Sequence, residues 1–147
     1  MTQIVRSALV EYSALDMYLL VENIEDYPQF LPWCRASRVL ERSDGRTLAC
    51  LSVGLKGVRQ SLTTENLNTH AEAIDLRLVE GPFSMFSASW RFKALGPRAA
   101  RIEFSIAYEF SSKVLGRVLE PLFDQIANSM VDAFIRRAEV VHGTAER

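Results

Sequence analysis

Few residues of this sequence have the types and spacing that catalysis requires. The two histidines, His70 and His142, stand in a predicted turn and at the end of a predicted helix, so they do not form a pair. No His, Cys and Asp residues recur at the spacing of metal ligands, and neither a glycine-rich phosphate loop nor a nucleophile elbow is present. Asp124 and Asp132 fall on the polar side of a helical pattern, which indicates ordinary surface charge. The sequence therefore predicts no catalytic residue, no metal and no resident cofactor.

The chemistry that the sequence supports better is the binding of an apolar molecule. Aromatic and aliphatic side chains recur at alternate strand positions and along one helix face, and the adaptable Met130 and small Ala127 suit a pocket for a flexible chain. Each methylene removed from water contributes about 0.8 kcal/mol, so a long apolar chain needs no charged anchor. The predicted lining is Val53, Leu55, Leu62, Leu76, Leu78, Trp90, Phe92, Phe104, Ile106, Tyr108, Phe123, Ile126, Met130 and Phe134.

For any one of these residues, plain core packing is the alternative. Tyr108 and Gln60 are candidates to hydrogen-bond a ligand headgroup. They would serve equally well by satisfying each other or the backbone.

A short irregular segment concentrates bulky apolar side chains between two prolines that exclude a long helix and a strand. We interpret it as a lid over the pocket or as a membrane-touching lip, and the alternative is a plug that closes one end of the sheet. Its residues are Tyr27, Pro28, Phe30, Leu31, Pro32 and Trp33.

Four cations gather near one end of the predicted sheet. They form either a solvated face or a surface that contacts phosphates of lipid headgroups or RNA. These residues are Lys56, Arg59, Arg35 and Arg38.

Periodicity predicts the elements that must position these side chains. Residues 2–10 read as a strand, and Ser13 with Asp16 resembles a capping box for the helix that follows. That helix has Leu15, Tyr18, Leu19 and Val21 on its packed side and ends near Asn23. A single helical turn begins at Asp26. Six strands with period-two alternation follow: Arg35–Glu41, Thr47–Leu55, Val58–Leu67, Ala73–Glu80, Phe86–Leu95 and Ala99–Phe110.

The last element is an amphipathic helix from Ser112 to His142, with Ser111 or Ser112 as its cap and a kink at Pro121. A one-faced antiparallel sheet and a long apolar-faced helix must cover each other. The predicted fold is α+β: a seven-stranded curved antiparallel sheet wrapped around the C-terminal helix, with two short helices after the first strand. A curled sheet around one helix commonly leaves space between them, which is where a ligand would bind.

Length and composition limit the number of domains and the classes of protein to which the chain can belong. A length of 147 residues fits one domain over 1–147, with a frayed tail at about 143–147, and a net charge of −1 argues against a general nucleic-acid binder. There is no apolar run of 18 residues for a membrane span and no secretory signal. If Ser43 to Arg46 forms a hairpin turn, Cys50 lies opposite Val39 rather than Cys34, so both thiols stay free and a cytosolic location is expected.

Several stretches together resemble the START-like helix-grip superfamily of polyketide cyclases, dehydrases and lipid transport proteins. The match is to the branch of coenzyme Q-binding proteins and the bacterial ribosome-association toxin. It rests on the block Asp26 to Cys34, the turn Leu55 to Ser61, Glu80-Gly81-Pro82-Phe83 with Trp90-Arg91-Phe92, and Phe110 through Arg137.

The resemblance implies two functions. The first is non-enzymatic binding of ubiquinone or a related prenyl lipid in support of respiration, in the cytoplasm and at the periphery of the inner membrane. The second is a toxin that binds the large ribosomal subunit and blocks subunit joining. A cyclase- or dehydrase-like enzyme is the third and weakest alternative, and neither an oligomeric state nor an antitoxin partner follows from the residues. Neutral charge and the apolar lining favour the lipid-binding function.

Overall fold

The computed structural model describes residues 1–143, in seven strands, two α-helices and one 3-10 helix. The elements are β1 Thr2–Val10, α1 Ala14–Glu22, the 3-10 helix Ile24–Gln29, β2 Cys34–Ser43, β3 Arg46–Leu55, β4 Val58–Thr69, β5 Ala73–Glu80, β6 Phe83–Gly96, β7 Ala99–Phe110 and α2 Lys113–Val141. The fraying expected at the C-terminal tail lies mostly outside the described residues.

All seven strands form one antiparallel sheet in the order β1-β7-β6-β5-β4-β3-β2. Alternate side chains of β7 are buried, from Ala100 to Tyr108, because one face of the sheet packs against α2 and α1. The predicted α+β architecture, a curved sheet holding a long C-terminal helix, is confirmed.

Serine side chains begin both α-helices. Ser13 Oγ accepts a hydrogen bond from the Asp16 N–H at 3.0 Å, and Ser112 Oγ accepts one from the Leu115 N–H at 3.1 Å. Each serine satisfies a backbone donor that the helix itself cannot pair. The helix after Ser112 is continuous through Pro121 as predicted, and the kink there stays a prediction.

Several strands are longer than their predicted bounds. Strand β6 starts at Phe83 rather than Phe86, because pairing with β7 resumes directly after Pro82 and Phe83 lies opposite Phe110. Strands β5 and β7 have the predicted bounds.

The predicted pairing of Cys50 with Val39 is wrong. The hairpin turn is as expected, with Ser43 opposite Arg46, but a bulge between Val39 and Glu41 shifts the register, so Cys50 lies opposite Arg38. Cys34 lies opposite Val53, and both cysteines are free.

The exposed side of each helix also differs from prediction. On α1, Tyr18 and Val21 are buried as predicted, but Leu15 and Leu19 are exposed and Met17 is buried instead. On α2, Val114 and Val118 are exposed, and continuous burial begins only near Leu119. The helix starts just after β7 ends, so its first turns lie at the rim of the sheet rather than over the concave face.

Candidate functional site

A cavity of about 80 Å³ lies between the sheet and α2. The side chains around it are almost all apolar, as the alternation of the strands predicted. Nine of the predicted lining residues surround it: Val53, Leu62, Leu76, Trp90, Phe104, Ile106, Phe123, Ile126 and Met130. Their role in ligand binding stays a prediction.

Phe92 and Phe134 are predicted lining residues that the structure places away from this cavity. Phe92 is buried on the expected face, but farther along β6, where its ring packs edge-on to Tyr18 with 5.8 Å between centroids. Phe134 is fully buried and fills core volume, with its ring centroid 5.3 Å from that of Trp90. Periodicity identifies the buried face of a strand or helix but not how far along that face the cavity extends. For this reason the sequence assigned both residues to the cavity lining.

Leu55, Leu78 and Tyr108 also lie outside the cavity lining. Leu55 and Leu78 are half-buried near the strand ends at one edge of the core. Tyr108 is buried among Phe83, Phe110 and Phe123. This aromatic cluster fills the space at the N-terminal end of α2.

The predicted polar anchors have other partners. The Tyr108 hydroxyl donates to Asp124 Oδ1 at 2.9 Å, and burial, then this hydrogen bond, raises the pKa of Tyr108. Asp124 is therefore a structural acceptor, and the prediction that it is plain surface charge is wrong. Gln60 donates to the carbonyl of its neighbour Ser61 at 3.0 Å and does not reach the cavity.

Four further residues line the cavity that the sequence analysis did not select: Leu51, Thr64, Phe86 and Ala88. Each lies at an even spacing from a selected residue of the same strand, as Leu51 does from Val53. Strict application of the period-two rule would have found them.

The segment predicted as a lid closes the cavity from within. Tyr27, Leu31 and Trp33 are buried, Phe30 is half-buried, and Pro28 and Pro32 face solvent. Tyr27 and Trp33 line the cavity itself, and the Tyr27 hydroxyl donates to the Val21 carbonyl. Only Pro28, Pro32 and part of Phe30 remain accessible on this segment, and its role as a lid or as a membrane-touching lip stays a prediction.

The four predicted surface cations lie on the outer side of the hairpin β3–β4 and on β2. Arg35 and Arg59 lie side by side over Gly54, where an added Cβ would come 3.6 Å and 3.2 Å from their Cγ atoms. Lys56 occupies the hairpin turn with a positive φ of 54°, and Arg38 faces outward opposite Cys50.

No carboxylate neutralises this basic cluster of Arg35, Arg38, Lys56 and Arg59. Within residues 1–143 none of the four makes a hydrogen bond or ion pair, whereas Arg42 binds Glu25 at 2.8 Å. The segments 33–40 and 46–64 contain no acidic residue. Exposed cations without an ion-pair partner are available to bind phosphate.

A wider surface groove of about 860 Å³ lies beside α1, lined by Leu15, His70, Phe92, Lys93 and neighbouring residues. The ring of His70 packs against Tyr18 with 5.4 Å between centroids, so this histidine has a packing role. Among residues 1–143, no helix is long and apolar enough to cross a bilayer.

Comparison with known proteins gives a family model and full-length relatives. Residues 10–135 match the family described as polyketide cyclase / dehydrase and lipid transport. The ribosome association toxin RatA of Pseudomonas aeruginosa is 41% identical over 142 residues, covering 97% of this chain and 99% of that protein. The same-named protein of Escherichia coli K12 is 42% identical, covering 97% of this chain and 90% of that protein.

A more distant relative carries the other function suggested by the sequence. The mitochondrial coenzyme Q-binding protein COQ10 homolog B of Xenopus laevis is 28% identical, covering 95% of this chain and 59% of that protein. Among solved structures, a START superfamily protein from Mycobacterium smegmatis superposes with a TM-score of 0.80 at 22% identity, covering 95% of this chain and 98% of that one. At that identity the superposition shows a shared fold.

Proposed function

The chain belongs to the polyketide cyclase / dehydrase and lipid transport family, and from this premise we propose that it is a START-like domain that associates with the ribosome. The partner is the large subunit, the location is the cytoplasm, and the effect is inhibition of subunit joining. The observation that carries the proposal is the unpaired basic cluster on the outer surface.

Two features support the ribosome over an enzymatic function. Two relatives that are about two-fifths identical over nearly the whole chain are named ribosome association toxins. Neither His70 nor His142 lines the cavity. A binding function that uses the outer surface needs no catalytic group.

The basic cluster suits ribosomal RNA because cations contact phosphates without reading sequence. The side-chain stems of Arg35 and Arg59 lie side by side over Gly54, and a guanidinium group can hold a phosphate with two hydrogen bonds. The overall charge of −1 keeps the rest of the surface from binding nucleic acid indiscriminately.

The test is sedimentation of the purified protein with separated ribosomal subunits at physiological salt. We expect the native protein to sediment with large subunits, and the double substitution Lys56→Glu and Arg59→Glu to abolish this. The matched control, Lys93→Glu with Arg136→Glu, makes the same charge change at exposed positions away from the cluster. If the native protein does not sediment with large subunits, the proposed function is wrong. If both double variants bind like the native protein, the basic cluster is not the binding surface.

A second candidate function is the binding of a hydrophobic ligand such as ubiquinone or a related prenyl lipid. The apolar cavity favours it, and the Xenopus relative named as coenzyme Q-binding supports it. The volume of about 80 Å³ is below the roughly 300–1,000 Å³ of ordinary ligand pockets, so the walls would have to move. Organic extraction and mass spectrometry of the protein purified from its own host would reveal a stoichiometric lipid, and its absence would contradict this candidate.

A further inference from the structure

One polar atom in the core has no partner. The indole N–H of Trp33 is the only buried side-chain nitrogen or oxygen within residues 1–143 that makes no hydrogen bond, and Trp33 is 2% exposed. A buried donor without an acceptor is unfavourable, and such exceptions in native proteins usually have a reason.

Trp33 is also part of the cavity wall. Thr64 lines the same cavity. Its hydroxyl donates to Asn66 Oδ1 at 2.9 Å, which leaves the Thr64 Oγ1 atom able to accept a hydrogen bond. The only other lining hydroxyl belongs to Tyr27, and it donates to the Val21 carbonyl. Among the lining side chains, Trp33 therefore has a buried donor without a partner and Thr64 has an acceptor, while Trp90 carries a second indole N–H.

No charged side chain lines this cavity. A buried carboxylate or phosphate without a cation is strongly unfavourable, so fatty acids and phospholipid headgroups do not fit. A neutral oxygen does fit, because it accepts from the indole N–H and needs no counter-ion.

We propose that this cavity binds the uncharged, oxygen-bearing headgroup of an apolar molecule, and that the Trp33 N–H is the hydrogen-bond donor that holds the oxygen. The proposal rests on the second candidate function and deepens it: it names the headgroup class and the residue that selects it. The sequence analysis named Tyr108 and Gln60 as candidates to hydrogen-bond the headgroup, and this proposal assigns that role to Trp33 instead.

The size of the cavity sets a condition on binding. At about 30 Å³ each, two or three waters match the volume of about 80 Å³, and a ring is larger. Met130 is a half-buried part of the wall, and its unbranched thioether can change rotamer with little strain. We expect Met130 to move aside when a ring headgroup enters.

The experiment uses the two tryptophans, because Trp33 and Trp90 both line the cavity and the chain has no other. Indole ¹⁵N–¹H spectra of the full chain then contain two signals, which Trp33→Phe assigns. The probes are decylubiquinone, decylbenzene and decanoate, which share a tail but carry a neutral oxygen-bearing ring, a ring without oxygen, and a carboxylate.

We expect decylubiquinone to bind the native protein and to shift the Trp33 indole proton downfield, as a new hydrogen bond does. Decylbenzene should bind more weakly and leave that proton near its free position, and decanoate should not bind. Trp33→Phe should weaken decylubiquinone binding on the order of tenfold, the effect of one buried hydrogen bond, and change decylbenzene binding by less than about twofold.

The outcomes distinguish a wrong assignment of Trp33 as the hydrogen-bond donor from a failure of the second candidate function. If decylubiquinone and decylbenzene bind equally and neither moves the Trp33 proton, the cavity binds ligands but the anchor is wrong. If decanoate binds as tightly as decylubiquinone, the neutral headgroup class is wrong. If no probe binds the native protein, both this proposal and the second candidate function fail. If Trp33→Phe does not fold, Trp90→Phe assigns the two indole signals instead, and the three probes are still compared on the native protein.

Discussion

The guanidinium of Arg137 lies over the ring of Phe30, with 5.0 Å from Cζ to the ring centroid. The same guanidinium donates to Gln29 Oε1 at 3.1 Å and lies 4.0 Å from Asp26 Oδ2. The Arg137 side chain is only 18% exposed, although charged residues of a helix usually face solvent. This arginine of α2 holds the segment that closes the cavity.

Loss of this contact should loosen that segment. Arg137→Ala should lower the free energy of unfolding by about 1 kcal/mol, because a cation–π contact and a polar contact disappear together. Urea unfolding measures the change, and hydrogen exchange should speed up at amides 24–34. Arg136→Ala, at an exposed neighbouring position, is the control. Equal exchange in the two variants would show that Arg137 does not hold the segment.

The Tyr108–Asp124 hydrogen bond should stabilise α2 on the sheet. Tyr108→Phe and Asp124→Ala should each cost about 1–2 kcal/mol, because each leaves a partly buried polar group without its partner. In the double mutant the costs should not add, and the difference is the coupling energy. Asp132→Ala is the control, since Asp132 is exposed. Strict additivity would mean that the pair contributes nothing.

The cavity can be filled from α2. Met130→Trp should abolish binding of a quinone-like ligand while the fold remains, at a cost of about 1–3 kcal/mol for overpacking. Circular dichroism checks the fold, and ligand titration checks binding. Val140→Trp adds the same ring at an exposed position of α2 and should bind as the native protein does. Unchanged quinone binding by Met130→Trp would exclude this cavity as the site.

The Cys34 thiol should resist alkylation at neutral pH. Burial raises its pKa from 9.0 to about 11, so the folded protein holds the proton more tightly than the unfolded chain. Its contribution to stability is complete below pH 9 and is lost as the pH rises from 9.0 to about 11. Iodoacetamide labelling read by mass spectrometry at several pH values tests this, with half-buried Cys50 as internal comparison. Rapid labelling of Cys34 at pH 7.5 would contradict it.

Ribosome binding through the basic cluster should depend strongly on salt. Contacts from four cations predict that the logarithm of affinity falls with the logarithm of salt concentration at a slope of roughly −3 to −4. The milder substitutions Lys56→Ala with Arg59→Ala remove two of the four contacts and should reduce the slope by about half, and sedimentation at several salt concentrations measures both slopes. A slope near zero for the native protein would mean that the contact is not made through phosphates.

The order and type of the elements were determined by the sequence alone, because they follow from local patterns. Alternation defined β5 and β7 at both ends, and Ser13 and Ser112 each begin a helix through a hydrogen bond to a residue three positions later. The same alternation identified most of the cavity wall.

The tertiary structure decided what depends on contacts between distant residues. The bulge near Val39 changed the partner of Cys50. Phe92 packs against Tyr18 of α1 rather than in the cavity wall. The partner of Asp124 lies 16 positions away, and the partners of Arg137 lie 107 to 111 positions away. A repeat of two or 3.6 residues states which way a side chain points but not which distant residue lies opposite. For the same reason, only the folded chain shows that the indole N–H of Trp33 has no acceptor.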